Sequence, residues 1–266
     1  SVPAHFSYID KETGDEGFSI VSDASRICAF SKTYTGLLYA AFKILRMIQM
    51  NEGLENLSIS EKPALPHRIL NHWDNLDGSI ERGYAGESLW KWDELPFVID
   101  SRYTDYARML CSVGINGSVL NNVNTQPKIL STDYISKIAS LASVFRSWGI
   151  QTYVSVNFGS PVSLGGLKTA DPLDQSVIEW WEEKIPEIYA SVPDFGGFLI
   201  KADSEGQPGP YAYGRSHADG ANMIAGILAR YGGILIWRAF VYGHGETDRA
   251  KKAYADFKPL DGKFLP

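Results

Sequence analysis

Strand-like and helix-like segments alternate along the chain after Pro66, and this order limits the possible folds more than any other feature. Short apolar runs typical of buried strands are each followed by a longer segment with apolar residues at helical spacing. The predicted strands are 68–71, 115–120, 152–157, 195–200 and 234–240, and the predicted helices are 101–113, 132–148, 174–190, 218–231 and 247–257. Gly114, Gly149 and Gly232 each precede a strand, where a left-handed residue ends the helix before it. Such βα order predicts parallel strands with right-handed crossovers.

Polar or aromatic residues lie at or just after the end of every one of these predicted strands. They are His72, Trp73, Asp74 and Asn75, then Asn121, Asn122 and Asn124, then Asn157, then Lys201, Asp203 and Glu205, and finally Trp237 with Arg238. An open doubly wound sheet has the same order, but the first strand is followed by neither a Gly-x-Gly-x-x-Gly turn nor a phosphate loop. The pattern therefore favours an α/β barrel, in which the carboxyl ends of all strands line one mouth.

The residues before Pro66 predict a different unit. Two strands, 18–21 and 26–30, are joined by a polar turn, and a helix follows at 35–50. Two strands and one helix bury too little surface to be stable alone. We therefore expect residues 1–65 to be the C-terminal part of an N-terminal α/β domain and residues 66–266 to be the first part of a barrel. Because a complete barrel has eight βα units, the chain is expected to be a fragment truncated before strand 6.

Composition excludes several classes of function. A net charge of −6 and a pI near 5.4 argue against nucleic acid as a partner. No apolar run approaches the roughly 20 residues that cross a bilayer, and the first residues do not resemble a signal peptide, so no membrane association is expected. Cys28 and Cys111 are interpreted as buried thiols rather than a disulfide. The five histidines lack metal-ligand spacing, so no metal or other cofactor is expected.

The residues after the strands offer carboxylates, cations, amides and indoles together. Amides and carboxylates bind hydroxyl groups, Lys and Arg bind an anion, and an indole packs against the face of a sugar ring. This combination predicts a polyhydroxylated substrate that carries a carboxylate.

Several long motifs resemble one family, the family 67 glycoside hydrolases, or xylan α-glucuronidases. They occur in family order and cover nearly the whole chain: 72–86 (HWDNLDGSIERGYAG), 114–117 (GING), 121–124 (NNVN), 160–174 (SPVSLGGLKTADPLD), 201–205 (KADSE), 217–223 (HADGANM) and 257–263 (FKPLDGK). The segment 242–247 departs from the family, because several members have a longer loop there that contains tryptophan.

The resemblance implies a (β/α)8 barrel between an α/β domain and a helical domain. It also implies inverting hydrolysis of the α-1,2 bond between 4-O-methylglucuronic acid and the terminal xylose of an acidic xylooligosaccharide. In this family the base and a further lysine that contacts the uronate lie on later strands, so this chain alone is expected to lack the base. A homodimeric full-length protein, cytoplasmic or periplasmic rather than secreted, is expected.

Residue roles follow from the same motifs. Glu205 would be the general acid, and Lys201 and Arg238 would hold the uronate carboxylate. Trp73 would pack against the sugar and Val123 would lie in the loop that lines the pocket. The expected substrate contacts also include two strand-end residues: Asp74 and Asn157.

Other interpretations of single residues remain open. Asp203 either raises the pKa of Glu205 by its charge or caps its own loop, and Trp237 lies either in the barrel core or in the pocket. Asp74 and Asp77 fit hydrogen bonding to loop amides better than catalysis. His72 and His217 are interpreted as hydrogen-bonded loop residues, and Glu81 with Arg82 as a structural ion pair.

Two alternative functions also remain. One is a truncated, non-catalytic barrel that binds acidic xylooligosaccharides without cleaving them. The other is a retaining barrel glycosidase whose two carboxylates, for instance Asp74 and Glu205, both lie within this chain.

Overall fold

The computed structural model describes residues 3–8, 13–204, 206–239, 251 and 254–256. The strands are β1 (Ala4–Tyr8), β2 (Phe18–Ser22), β3 (Ile27–Ser31), β4 (Ser58–Glu61), β5 (Ile69–Asn71), β6 (Gly117–Val119), β7 (Gln151–Val156), β8 (Gly197–Ala202) and β9 (Ile234–Ala239). The helices are α1 (Tyr34–Gln49), α2 (Ser101–Ser112), α3 (Thr132–Arg146), α4 (Ser160–Ser163), α5 (Gln175–Ser191) and α6 (His217–Leu228). None of these described helices is long and apolar enough to cross a membrane.

The chain divides into two compact units. Unit 1 comprises residues 1–69, 100–117 and 144–150, and unit 2 comprises residues 70–99, 118–143 and 151–266. The predicted division at residue 65 stays a prediction.

The second sheet consists of five strands in the order β5-β6-β7-β8-β9, which is also their order in the chain. β7 pairs with β8 and β8 with β9, both in parallel. Every residue of β8 and all but the first of β7 are buried, as expected for strands covered on both faces. All five predicted strands and the α/β class are confirmed, and a five-stranded sheet of this order is compatible with part of an α/β barrel.

Helix boundaries follow the local sequence signals. Asp100 and Asp174 accept backbone hydrogen bonds at the starts of α2 and α5, and Ser216 forms a capping box with Asp219 at the start of α6. The predicted glycines have φ angles of +80° at Gly114, +69° at Gly149 and +77° at Gly232, which are left-handed. The predicted helix at 247–257 lies largely outside the described residues.

The sheet of unit 1 corrects the expectation of two strands. It has four, in the order β1-β3-β2-β4, with β1 parallel to β3 and the other pairs antiparallel. All residues of β1 and three of the four in β4 are exposed, so neither strand has the apolar alternation that marks a half-buried strand. The predicted strands β2 and β3 and the predicted helix α1 are confirmed.

Both cysteines are free thiols, which confirms the prediction of no disulfide. Cys111 is buried in α2, where burial and the nearby Glu16 carboxylate raise its pKa to about 12. Cys28 is only half-buried, on β3. The Cys111 thiol is therefore protonated at neutral pH and inert.

Candidate functional site

The two outer strands of the five-stranded sheet come close together at their carboxyl ends. Arg238, on β9, places its guanidinium carbon 6.0 Å from the centre of the indole ring of Trp73, which follows β5. Because β5 and β9 are four positions apart in the sheet, this cation–π contact requires the sheet to curl. Trp73 and Arg238 were both predicted as site residues, and the structure brings them together.

Lys201 is the second cation at this end of the sheet. It is only 3% exposed and is paired in register with Arg238 on the neighbouring strand. Side chains at the same register on adjacent strands project from the same face of a sheet, and like charges there repel each other. An anionic group that reaches both cations would relieve this repulsion.

Glu205, the predicted general acid, lies outside the described residues. Its neighbour Ser204 is buried and forms a bridge with Gln207. Asp203 has a left-handed backbone, with a φ of +53°. Its carboxylate accepts a hydrogen bond of 3.2 Å from the amide of Tyr211. These contacts support the interpretation of Asp203 as a residue that caps its own loop.

Asp74 is held by its own loop. Its carboxylate accepts hydrogen bonds from the Ser88 hydroxyl at 2.6 Å and the Leu89 amide at 2.9 Å, and it lies 3.0 Å from His72 Nδ1. Burial raises the pKa of Asp74, but the bonds from His72 and Ser88 outweigh burial, so the net pKa is lower than usual. The interpretation of Asp74 and His72 as hydrogen-bonded loop residues is confirmed.

The amides after β6 are also used internally. Asn121 donates to the carbonyl of Ser155 at 3.0 Å and accepts from its amide at 2.9 Å, which extends the pairing of β6 with β7 by one residue. Asn122 donates to Asn75 Oδ1 at 2.9 Å. Both side chains are buried. Asn121 joins the end of β6 to β7, and Asn122 joins its loop to the loop after β5.

Val123, Asn157 and Trp237 are all buried or hydrogen-bonded within the protein. Val123 is only 2% exposed, so its side chain is buried. Asn157 donates to Gln207 Oε1 and accepts from the amide of Gly159 at 2.8 Å. Trp237 is 9% exposed and packs edge-on against Phe158, which settles its position as core.

His217 is hydrogen-bonded as predicted, but it is the first residue of α6 and not a loop residue. His217 is fully buried, and its Nδ1 accepts a hydrogen bond of 3.1 Å from the indole of Trp237. Glu81 and Arg82 form the predicted ion pair, with 3.7 Å between Oε1 and Nε.

Several residues that shape these loops were not found from the sequence. Ser88 donates a hydrogen bond to Asp74, and Gln207 accepts one from Asn157. The backbone amide of Tyr211 donates to Asp203, and its hydroxyl contacts Asp256. Asp171 and Arg215 form a bidentate pair at 2.9 Å, which lowers the pKa of Asp171. None of these partners is close enough in sequence to give a local signal. No cluster of three or more metal-ligating side chains occurs in the described part of the chain.

Residues 47–266 match the family model described as the glycosyl hydrolase family 67 middle domain. The chain belongs to this family. The chain is 44% identical over 255 residues to a probable alpha-glucuronidase A of Aspergillus fumigatus, and 45% identical over 255 residues to one of Neosartorya fischeri. It is 41% identical over 263 residues to the alpha-glucuronidase A of Emericella nidulans. These matches cover 94% of this family 67 chain but only 30–31% of each relative. The chain thus spans about a third of their length.

Solved structures of other glycosidases share the fold of this family 67 chain. A GH138 enzyme targeting pectin rhamnogalacturonan II aligns over 97% of the chain and 32% of its own length, with a TM-score of 0.60 and 13% identity. The GH20 beta-N-acetylhexosaminidase from Streptomyces coelicolor aligns over 88% of the chain and 53% of its own, with a TM-score of 0.55 and 12% identity. At such identities the likeness concerns the fold alone.

Proposed function

We propose that the chain forms part of the catalytic (β/α)8 barrel of an inverting α-glucuronidase. The enzyme would remove (4-O-methyl)-glucuronic acid that is α-1,2-linked to the terminal xylose of xylooligosaccharides. Membership of family 67 and the alpha-glucuronidase relatives support the activity. The observation that carries the substrate assignment is the group formed by Trp73, Lys201 and Arg238 at one end of the sheet.

This group fits a uronic acid in two ways. The indole of Trp73 offers a flat apolar face to the pyranose ring. Lys201 and Arg238 offer charge-assisted hydrogen bonds to the carboxylate, and without that anion the two cations would remain in the site together. Glucose lacks the carboxylate, so we expect it to be rejected far more strongly than a change of one apolar group would allow.

In the proposed mechanism, Glu205 protonates the glycosidic oxygen as the leaving xylose departs. An inverting enzyme needs a second carboxyl, roughly 6.5–9.5 Å from the acid, to activate water on the opposite face of the sugar. We assign no residue of this chain as that base. Substrate contacts by Asp74, Asn157 and the Val123 loop remain part of the proposal, although the atoms of Asp74 and Asn157 described above already hold loop contacts.

The retaining alternative is less well supported. A retaining mechanism would use Asp74 as the nucleophile with Glu205 as the acid. The Asp74 carboxylate accepts bonds from Ser88 and Leu89 and faces His72. A carboxylate fixed by three loop donors is poorly placed to attack a sugar.

The test is hydrolysis of a reduced aldouronic acid by the complete enzyme that contains this chain, followed by NMR. Release of glucuronic acid as its β anomer first is expected for inversion of an α-linkage. Glu205→Gln should reduce turnover by about 100- to 10,000-fold on this substrate. The loss should be smaller on an aryl α-glucuronide, because a good leaving group needs less help from an acid.

Each alternative predicts a different result. Release of the α anomer first would support the retaining mechanism instead. Tight binding of aldouronic acid by the complete enzyme without any release would support the non-catalytic barrel. Equal losses on both substrates would show that Glu205 is not the proton donor.

A further inference from the structure

Unit 1 contains a cavity of its own, about 270 Å³ in volume. One face of α1 forms one wall, because Tyr39, Phe42, Lys43 and Arg46 lie three or four residues apart along the helix. The other walls are the end of β4 with the residues that follow it and the C-terminal end of α2. The volume is close to the lower end of the range for small-molecule sites, about 300–1,000 Å³, so a single-ring ligand fits it best.

Positive charge dominates this cavity although the chain as a whole carries a net charge of −6. The charged lining residues are four cations, Lys43, Arg46, Lys62 and Arg68, and one carboxylate, Glu61. Glu61 already lies 2.8 Å from the ammonium group of Lys43. The lining is therefore a local cationic site on an acidic protein.

The four cations are not equally available to a ligand. Arg68 uses its guanidinium on Glu16 at 2.9 Å and on backbone carbonyls, of which Gly114 is the closest at 2.5 Å. Its role is structural. Arg46 donates one hydrogen bond of 2.7 Å to the carbonyl of Ser112, which fixes the guanidinium against the end of α2. Across the described residues, neither Arg46 nor Lys62 pairs with a carboxylate, so these two cations remain for an anion.

Aromatic rings form the other part of the lining. Phe18 and Tyr39 are buried and Phe42 is half-buried. The Phe42 ring is also held in place by a tilted contact with Trp148, at 6.2 Å between ring centres. A rigid aromatic wall beside an oriented guanidinium suits a ligand with one flat apolar face and one anionic group.

We infer that this cavity binds a small ring compound that carries one carboxylate, with Arg46 and Lys62 holding the carboxylate and Phe42 packing against the ring. A sugar acid and an aromatic acid share this chemistry. A polyanion fits less well, because Glu61 lies in the same wall and repels added negative charge. The inference does not depend on hydrolysis by unit 2.

The test is an NMR titration of the 266-residue chain with sodium D-glucuronate and with sodium benzoate. The backbone amides of Val113 and Gly114 report on the cavity, and the indole N–H of Trp237 reports separately on β9. Saturable shifts of the Val113 and Gly114 signals, with a Kd in the millimolar range, are expected for at least one acid. D-Glucose, which differs from glucuronate by the carboxylate, should leave both amides unchanged. Shifts with glucuronate alone would identify a sugar-acid site, and shifts with benzoate alone would identify an aromatic-acid site.

Variants separate binding from nonspecific effects. Arg46→Gln combined with Lys62→Gln should weaken the cavity response at least tenfold and leave the Trp237 response unchanged. Lys62→Gln alone changes an exposed side chain without a folding role and should weaken binding about threefold. Arg108→Gln, an exposed cation elsewhere on α2, is the matched control and should have no effect.

Three results would overturn the inference. The first is the absence of shifts at Val113 and Gly114 with both acids. The second is an equal response to glucose, which would mean that the carboxylate is not recognised. The third is an equal response to inorganic phosphate, which would mean a nonselective cationic surface.

Discussion

Polar residues at the carboxyl end of the five-stranded sheet fall into two groups that differ in their contacts. One group lies in the loops after β5 and β6, and the other lies at the ends of β8 and β9. After β5 and β6, Asp74 and Asn121 bind the backbone or neighbouring side chains through almost every polar atom. At β8 and β9, Lys201 and Arg238 stand in register as two like charges. The first group holds the loops together, and the second group is suited to an anion.

This contrast shows that a position at the end of a strand does not by itself indicate a role in binding. Buried amides and carboxylates must be hydrogen-bonded, and a neighbouring loop is the nearest source of partners. Two adjacent cations have no such partner in each other. Charge therefore distinguishes the two groups: like charges in register favour an anion, whereas the buried amides and carboxylates are held by neighbouring loops.

Asn121→Ala should have the largest effect, on stability. The change removes both hydrogen bonds to Ser155 and leaves its buried amide and carbonyl without their partner, besides opening a small cavity. A loss of about 3–4 kcal/mol in the free energy of unfolding is expected. Urea denaturation followed by circular dichroism measures it.

Gln175→Ala provides the matched control, because this exposed amide bonds to Glu179 on the surface of α5. This substitution should lower the free energy of unfolding by less than about 0.5 kcal/mol. Similar losses for the two variants would contradict the structural role of Asn121.

Arg238→Gln should affect binding rather than stability. Loss of one carboxylate-binding cation is expected to weaken binding of an aldouronic acid by about 2–3 kcal/mol, roughly 30- to 150-fold. Binding of the corresponding neutral xylooligosaccharide should change little. Isothermal titration calorimetry measures both affinities.

Arg230→Gln is the control for a general change in charge, since Arg230 is an exposed cation paired with Glu182. The Arg230→Gln variant should bind the aldouronic acid with the same affinity as the unaltered chain. Equal weakening of acidic and neutral ligands by Arg238→Gln would mean that Arg238 supports the fold of the site instead of the carboxylate.

The sequence predicts the parallel sheet well because its signals are strong there. β7 and β8 are apolar runs buried on both faces, and Gly114, Gly149 and Gly232 mark the helix ends. β1 and β4 were missed because their side chains are mostly exposed and their pairing partners lie far away in the chain. Exposed edge strands depend on backbone pairing, which leaves little trace in a hydrophobic pattern.

The site is predicted only in part for a related reason. The position of Trp73, Lys201 and Arg238 at or just after the ends of apolar strands indicates these residues, and the parallel sheet brings them to one end. Whether a given amide is available depends on partners such as Ser155 for Asn121 and Gln207 for Asn157, which are 34 and 50 residues away. Sequence spacing carries no information about such contacts.

Asp74→Asn should have the smallest effect and should depend on pH. Because the pKa of Asp74 is below its usual 3.8 in the folded chain, its stabilisation is present above pH 3.8 and is lost as the pH falls through the lower folded value. At neutral pH the variant should lose about 1–2 kcal/mol, since an amide keeps only part of the bonding to His72, Ser88 and Leu89. The difference in unfolding free energy between the two proteins should therefore shrink as the pH falls below 3.8.

Asp77→Asn is the matched comparison, because Asp77 lies in the same loop and also has a lowered pKa but is exposed. Solvent screens that carboxylate, so its substitution should change the pH dependence less. An equal or larger change for Asp77→Asn would show that burial in the first loop is not what makes Asp74 a structural residue.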